Sequence, residues 1–294
     1  MFVEAIETAS KFTRPIFSIS RNYGSTQVIP GAATLFFVNA DGWAFTCRHV
    51  AGNLLATSEL NNKFLAFKEE LAGQTNIKKH RNVLHELEKK YQYTKNVTIE
   101  MRNLFVGCIE GELNVRIISS ANYDIALLKF DNFKKLLCNS FPCFPKDTSG
   151  MKQGKFLCRL GFPFPEFTNF AYDVKSDSIM WTDTGQKNSP RFPIEGMLTR
   201  HLQDNDGQAF GFEMSTPGLR GQSGGPVFDT DGKVWGMQSA TNHLDLDFDV
   251  NQEVVRNGVK KHVQDSAFLH VGHCIHVETL KSFMKENSVQ FQEE

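Results

Sequence analysis

The stretch GLRGQSGGPVF, Gly218 to Phe228, limits what this chain can fold into more than any other part of it. It places four glycines in eight residues around Ser223. Glycine loses more conformational entropy on folding than any other residue, so such a run belongs where the backbone takes left-handed dihedrals or stands close to something else. Pro226 follows at once, and Asp231-Gly232 then signals a hairpin between apolar runs. Proline removes a helical donor and clashes inside a helix, so the glycine-rich turn must lead into a strand and not into a helix.

The rest of the chain agrees with a strand-rich architecture. Residues 3–12 read as a short helix. After Pro15 come IFSISRNY and AATLFFVNADGWAFTC, with Asp41-Gly42 as a second hairpin signal. From Leu60 to Tyr91 the period turns helical: Leu60, Phe64, Phe67 and Leu71 recur at steps of three and four, as do Leu84, Leu87 and Tyr91, with Gly73 between the two pieces. Strands resume with VTIEMRNLFVGCI, LNVRIIS and DIALLKF. LCNSFPCFPKDTSG is irregular and reads as a linker. KFLCRLGF, RFPIEGMLTR, AFGFEMS, GPVFDTDGKVWGMQSA and AFLHVGHCIHV follow, and ETLKSFMKEN closes the chain as a helix. No βαβ alternation appears, so the expected class is all-β, built from barrels. The expected organisation is a first lobe over 13–135 with a helical insertion at 60–91, a linker at 136–150, a second lobe over 151–276 and a helix at 277–287.

Bulk properties remove several function classes. With 40% hydrophobic and 22% charged residues among 294, the chain is a folding globular protein. The 26 Phe point to sizeable cores. A net charge of −1 argues against a general nucleic-acid or anionic-membrane surface. No apolar run approaches the ~20 residues that span a bilayer. The first residues carry Glu4 and Glu7 where an export signal would be basic, and the six Cys lack the regular spacing of a disulfide framework. The expectation is a cytoplasmic protein with reduced thiols.

Three segments carry chemistry. Acyl transfer needs a nucleophile, a base to take its proton and a group that orients the base. Ser223 supplies the first, His49 in FTCRHVA the second, and Asp124 in YDIALLKF the third. Each alone has a plain structural reading: a tight turn, a surface histidine, a turn-capping aspartate. Together they run in the order His, Asp, Ser, which is the chymotrypsin order. The strings TCRHV, DIALLK and GQSGGP resemble the three motifs of the trypsin-like serine peptidases. VNADGWAFTCRHV and GKVWGMQSA are most similar to the HtrA/Deg-like branch. The resemblance extends from about Phe17 to Phe283, interrupted by the helical insertion.

That resemblance implies a chymotrypsin-like double barrel: two six-stranded antiparallel barrels, the first carrying His49 and Asp124, the second carrying Ser223, with the helical insertion in the first and a helix at the C-terminus. It implies an oxyanion hole from the N–H groups of Gly221 and Ser223. Ser239 is expected to hydrogen-bond Asp124. Ser239 to Asn242, with Ala240 and Thr241, is expected to pair with substrate backbone. Pro217, Gly272 and Cys274 are expected to line a small, uncharged primary pocket. Asp245, Asp247 and Asp249 read as a solvated acidic loop beyond it. Gln222 stands where zymogen-activated trypsins carry an Asp, so activation by N-terminal cleavage is not expected, and regulation by a protein partner or by loop ordering is. The branch usually adds a PDZ module, and none is expected here.

Competing readings are weaker. GQSGG also fits a G-x-S-x-G nucleophile elbow, but that needs a helix after the serine. His270, Cys274 and His276 in HVGHCIHV share a strand face, but zinc prefers tighter spacings and four ligands, so neither metal nor cofactor is expected. An esterase could use the same three residues, and a peptide-binding protein that no longer hydrolyses would keep the fold. The insertion could be a packed surface hairpin or a lid, and periodicity does not separate these. The sequence reading is a peptidase acting on protein or peptide substrates.

Overall fold

The structure, a computed structural model, describes residues 1–73, 80–256 and 258–294, with the side chains of 80, 81, 250, 256 and 263–266 also outside the description. Six of the expected insertion residues, 74–79, therefore lie outside the described residues.

A short helix, α1 (Val3–Phe12), precedes the first sheet. That sheet uses β1 (Thr13–Asn22), β2 (Ile29–Phe37), β3 (Trp43–Thr46), β4 (Thr98–Phe105), β5 (Asn114–Ser119) and β6 (Ala126–Asp131). Its order is β4-β1-β2-β3-β6-β5, all antiparallel. The sheet curls without its end strands bonding to each other. The second sheet uses β7 (Phe156–Gly161), β8 (Phe192–Gln203), β9 (Ala209–Met214), β10 (Pro226–Phe228), β11 (Val234–Arg256) and β12 (Val259–His276). It closes as a barrel in the order β7-β8-β9-β12-β11-β10. Two six-stranded, barrel-like sheets with a C-terminal helix, α4 (Val277–Glu286), make a chymotrypsin-like fold.

One apolar core runs through both halves. Phe36, Phe37, Phe45 and Phe130 from the first sheet join the same buried cluster as Phe212, Phe228 and Met237 from the second. Helix α1 buries Ala5, Ala9 and Phe12, and Phe2 packs edge-on to Phe228 of the second barrel, 6.4 Å between ring centroids. The expected linker is pinned by a short parallel pairing of Cys143–Phe144 with Gln292–Glu293.

The helical insertion differs from expectation at its start. Helix α2 spans Arg48–Ala72, so it begins right after β3 and carries His49 in its first turn. The second helix, α3 (His80–Tyr91), folds back on it. The two enclose their own core of Phe64, Phe67, Leu87, Tyr93 and Ile99, and the Phe67 ring meets Tyr23, Phe64, Tyr91 and Tyr93. Asn61 bonds the Met101 backbone in both directions, at 2.9 and 3.0 Å. Met101 lies on β4, an edge strand whose free polar groups would otherwise invite pairing with another chain. The insertion is thus packed, and it covers that edge.

The acidic residues expected in a loop sit instead in a strand arm. β11 and β12 pair from Gly236↔His276 out to Arg256↔Val259, with a register shift between Asp245 and Asp249. Asp247 takes a φ of 56° there.

Phe67→Ala should lower unfolding free energy by about 3–5 kcal/mol, since the cavity lies among four aromatic rings. Urea unfolding measures this. A loss under about 1 kcal/mol would contradict a packed hairpin core.

Candidate active site

The N-terminus of α2 organises the side of the first sheet that carries His49 and Asp124. The first amides of a helix have no intrahelical acceptor, and the helix dipole favours a carboxylate there. The cap residue, Cys47, supplies no side-chain acceptor. Asp124 does: its Oδ1 accepts the His49 amide at 3.0 Å. The same carboxylate accepts from His49 Nδ1 at 2.9 Å on Oδ2 and from Ser239 Oγ at 2.6 Å. Arg48 donates to the carbonyls of Ser120 and Ala121, at 3.1 and 2.7 Å, fastening the helix start to the turn that presents Asp124.

Burial by itself would raise the Asp124 pKa. The hydrogen bonds from His49 Nδ1, Ser239 Oγ and the His49 amide outweigh it and hold the carboxyl down at about 2. A carboxylate that stays charged keeps the proton on Nδ1 of the imidazole. Nε2 is then the acceptor, and the ring is half exposed, open to a reacting group.

Ser223 belongs to a loop held by neutral groups. Gly221 has φ 94° and Gly224 φ 87°, and a Cβ on either would collide with the backbone of Phe162 or of Thr34. The fully buried Thr34 of β2 clamps this loop to the first sheet. Its amide donates to Ser223 O at 3.0 Å and its hydroxyl to Gly221 O at 2.7 Å. Gln222 fills the place of an ion pair: its Nε2 donates to Phe192 O and its Oε1 accepts the Leu219 amide, both at 3.0 Å. The amides of Gly221 and Ser223 have no acceptor among the described residues.

His49, Gly221 and Ser223 border one cavity of about 270 Å³, with Val50, Asn53 and Leu54 of α2 on its wall. Ser223 Oγ does not bond His49 here. It donates to Ser239 O at 3.2 Å. A larger cavity, about 700 Å³, lies at the base of the insertion beside Arg21, Phe67 and Tyr93, away from this chemistry.

Ser239 sits where the β11–β12 register breaks, between Gln238 and Ala240. Such a bulge re-aims a side chain, and here it turns Ser239 onto Asp124. Beyond it, the backbone Ala240 O accepts Gln238 Nε2 at 2.6 Å, and the Thr241 side chain donates through Oγ1 to Gly218 O at 2.6 Å. Pro217 is half-buried in the loop before Gly218. Cys274 is fully buried, its thiol pushed up to about 12 by burial. Gly272 has no room for a side chain because the Arg159 guanidinium fills that space. The expected uncharged lining therefore meets a cation that the sequence reading passed over.

The donor atoms of His270, Cys274 and His276 do not converge. Among the described residues, the donors that come within 4.8 Å of one another in a group of three are those of Cys47, His49 and Asp124. Burial and the nearby Asp124 hold the Cys47 thiol well above its usual pKa, and its Sγ donates to Gln238 O at 3.3 Å. His270 instead bonds His243 across the arm, Nδ1 to Nδ1 at 2.6 Å.

A sequence model of the trypsin-like peptidase domain matches residues 33–237. The chain belongs to the trypsin-like peptidase family. Among curated proteins no sequence match is found. Solved structures similar to it include the HtrA-type protease AlgW with a tripeptide, at 11% identity and TM-score 0.47, covering 97% of this chain and 63% of that one. The Rv3671c protease from M. tuberculosis in its active form is another, at 10% identity and TM-score 0.47, covering 98% of this chain and 86% of that one. This peptidase-family chain thus spans about two thirds of the length of the first and most of the second.

Two predictions follow from the site. Thr34→Val removes the hydroxyl that serves Gly221 O and Phe162 N, so unfolding free energy should fall by about 1–3 kcal/mol, read by urea denaturation. No loss would mean that the clamp is incidental. Asp124 is held below its unfolded pKa of about 3.9, so its contribution, about 2 kcal/mol, is present above that pH and lost as pH falls toward 2. The stability difference between wild type and Asp124→Asn should shrink over that window. A difference constant from pH 6 to 2 would contradict the geometry.

Proposed function

We propose that the chain is a serine endopeptidase in which Ser223 is the nucleophile, His49 the general base and Asp124 its orienting partner. The observation that carries this reading is His49, bonded through Nδ1 to Asp124, opening with Ser223 onto one cavity. Nδ1 is committed to Asp124, so Nε2 can take the Ser223 proton once Oγ turns from Ser239 O toward the ring. The serine oxygen then bonds the scissile carbonyl carbon, and the carbonyl oxygen becomes an oxyanion. The unengaged amides of Gly221 and Ser223 would receive it, and one such donor is worth roughly 3–4 kcal/mol. His49 passes its proton to the leaving amine, and water releases the acyl group by the same steps in reverse. The Ser239–Asn242 edge would pair with the substrate backbone as an added strand.

The resting geometry supports regulation by a substrate or a protein partner. Ser223 Oγ, Ser239 O, Ala240 O and Thr241 Oγ1 are all engaged internally. A ligand that binds the opened form better shifts that equilibrium by its differential affinity. A cytoplasmic setting fits six free thiols, five of them buried.

Ser223→Ala should lower kcat on cleaved peptides by on the order of 10⁴–10⁶, and Asp124→Asn by on the order of 10⁴. Unchanged hydrolysis by the Ser223→Ala protein would remove the assignment.

A further inference from the structure

Strand β7 is apolar except at Arg159, and this arginine is 0% exposed. Its guanidinium has only neutral partners. Nη1 donates to Gln238 Oε1 at 2.5 Å, Nη2 to Thr216 O at 2.5 Å and also to Thr216 Oγ1. Nε has no partner among the described residues. No carboxylate forms an ion pair with it among those residues. The ionisable groups that act on it are the Cys274 and Cys158 thiols, both pushed up to about 12 by burial and so neutral. Burial lowers the pKa of the guanidinium itself. A buried charge without a counter-charge is costly, and paired or ligand-bound charges are the rule in interiors.

Its position gives the charge a use. Thr216 lies in the loop that leads to Ser223. Gln238 is locked to the nucleophile loop through its backbone: its O accepts the Gly224 amide at 2.9 Å, and its N donates to Gly225 O at 2.8 Å. Its side-chain amide packs under Gly218, which has no space for a Cβ, and reaches Ala240 O. Gly272 is likewise bare, with the guanidinium in its place. The Gln238 amide thus lies against Gly218 and Ala240, and the guanidinium lies beyond it, against Gly272 and Thr216.

Resting on the peptidase reading, we propose that Arg159 is the base of the pocket for the residue before the scissile bond, and that this residue is Glu or Asp. Gln238 Oε1 is the neutral stand-in for the substrate carboxylate, and the Thr241–Gly218 hydrogen bond straps the pocket walls together until substrate enters. An incoming carboxylate displaces Oε1 and pairs with the guanidinium by charge-assisted hydrogen bonds. A Lys or Arg would bring a like charge to a desolvated cation and is rejected.

The test is a set of fluorogenic peptides that differ only before the cleaved bond: Glu, Asp, Gln, Ala or Lys. Wild type should favour Glu over Ala in kcat/KM by on the order of 10², because only the acidic side chain brings the desolvated guanidinium a counter-charge in place of the neutral amide. Gln238→Glu places a carboxylate on Arg159 from within; the Glu-to-Ala ratio should fall to near one while the melting temperature rises. Arg159→Met should lower the ratio in the same way. If that variant does not fold, Gln238→Glu alone decides. A wild-type preference for Ala or Lys, or a Glu preference untouched by Gln238→Glu, overturns the proposal. Binding of the same peptides to the Ser223→Ala protein, followed by fluorescence anisotropy, separates the two readings. Glu-selective binding by a chain whose wild type hydrolyses nothing keeps the pocket and removes the peptidase. Hydrolysis without acidic preference does the reverse.

Discussion

The carboxylate of Asp124 is the point on which the site depends. It accepts one hydrogen bond from the first turn of α2, one from the His49 ring and one from Ser239 of the opposite barrel. These bonds fix the start of the helix, the tautomer of the imidazole and the approach of β11. Desolvation works against the charged form, yet the donors hold its pKa at about 2. A negative charge at a helix N-terminus is favoured by the dipole as well. The start of the helix and the His49–Asp124 pair are therefore one structural unit, and the insertion packs its own core further along the same helix.

Thr34 does the corresponding work for the loop that carries Ser223. It reaches a loop 187 residues away in the chain and bonds it through both amide and hydroxyl. Gly221 and Gly224 stay glycine because the chain presses against Phe162 and Thr34 there. Gln222 anchors the loop to β8 with an uncharged amide. What remains unset in the resting state is local: the Ser223 rotamer and the engaged Ser239–Thr241 edge.

The parts of this molecule that were legible in the sequence are those whose chemistry is local. A left-handed glycine turn, an aspartate before an apolar strand and a histidine after one leave short strings, and the hairpins at Asp41-Gly42 and Asp231-Gly232 leave dipeptides. What was not legible depends on distant partners. The helix begins at Arg48 and not near Leu60 because Val50 and Ala51 are the buried positions of its first two turns, too few for a visible period. The arm of β11 and β12 between Ala240 and Ala267 carries no strand signal because Leu246 and Phe248 are exposed among polar neighbours, leaving no contrast between faces. Thr34 looks like any strand threonine until the loop it clamps is in place. Arg159 did leave a signal, a lone cation inside an apolar strand, but its meaning needs Thr216, Gln238 and Gly272 around it.

The most direct test is the intact mass of the protein after reaction with a small fluorophosphonate, followed by mapping of the adduct. A site with Ser223 beside an imidazole whose Nδ1 is held by Asp124 should gain one adduct, on the peptide that contains Ser223, and His49→Ala should lose it. An unmodified protein, or an adduct on another residue, would contradict the account.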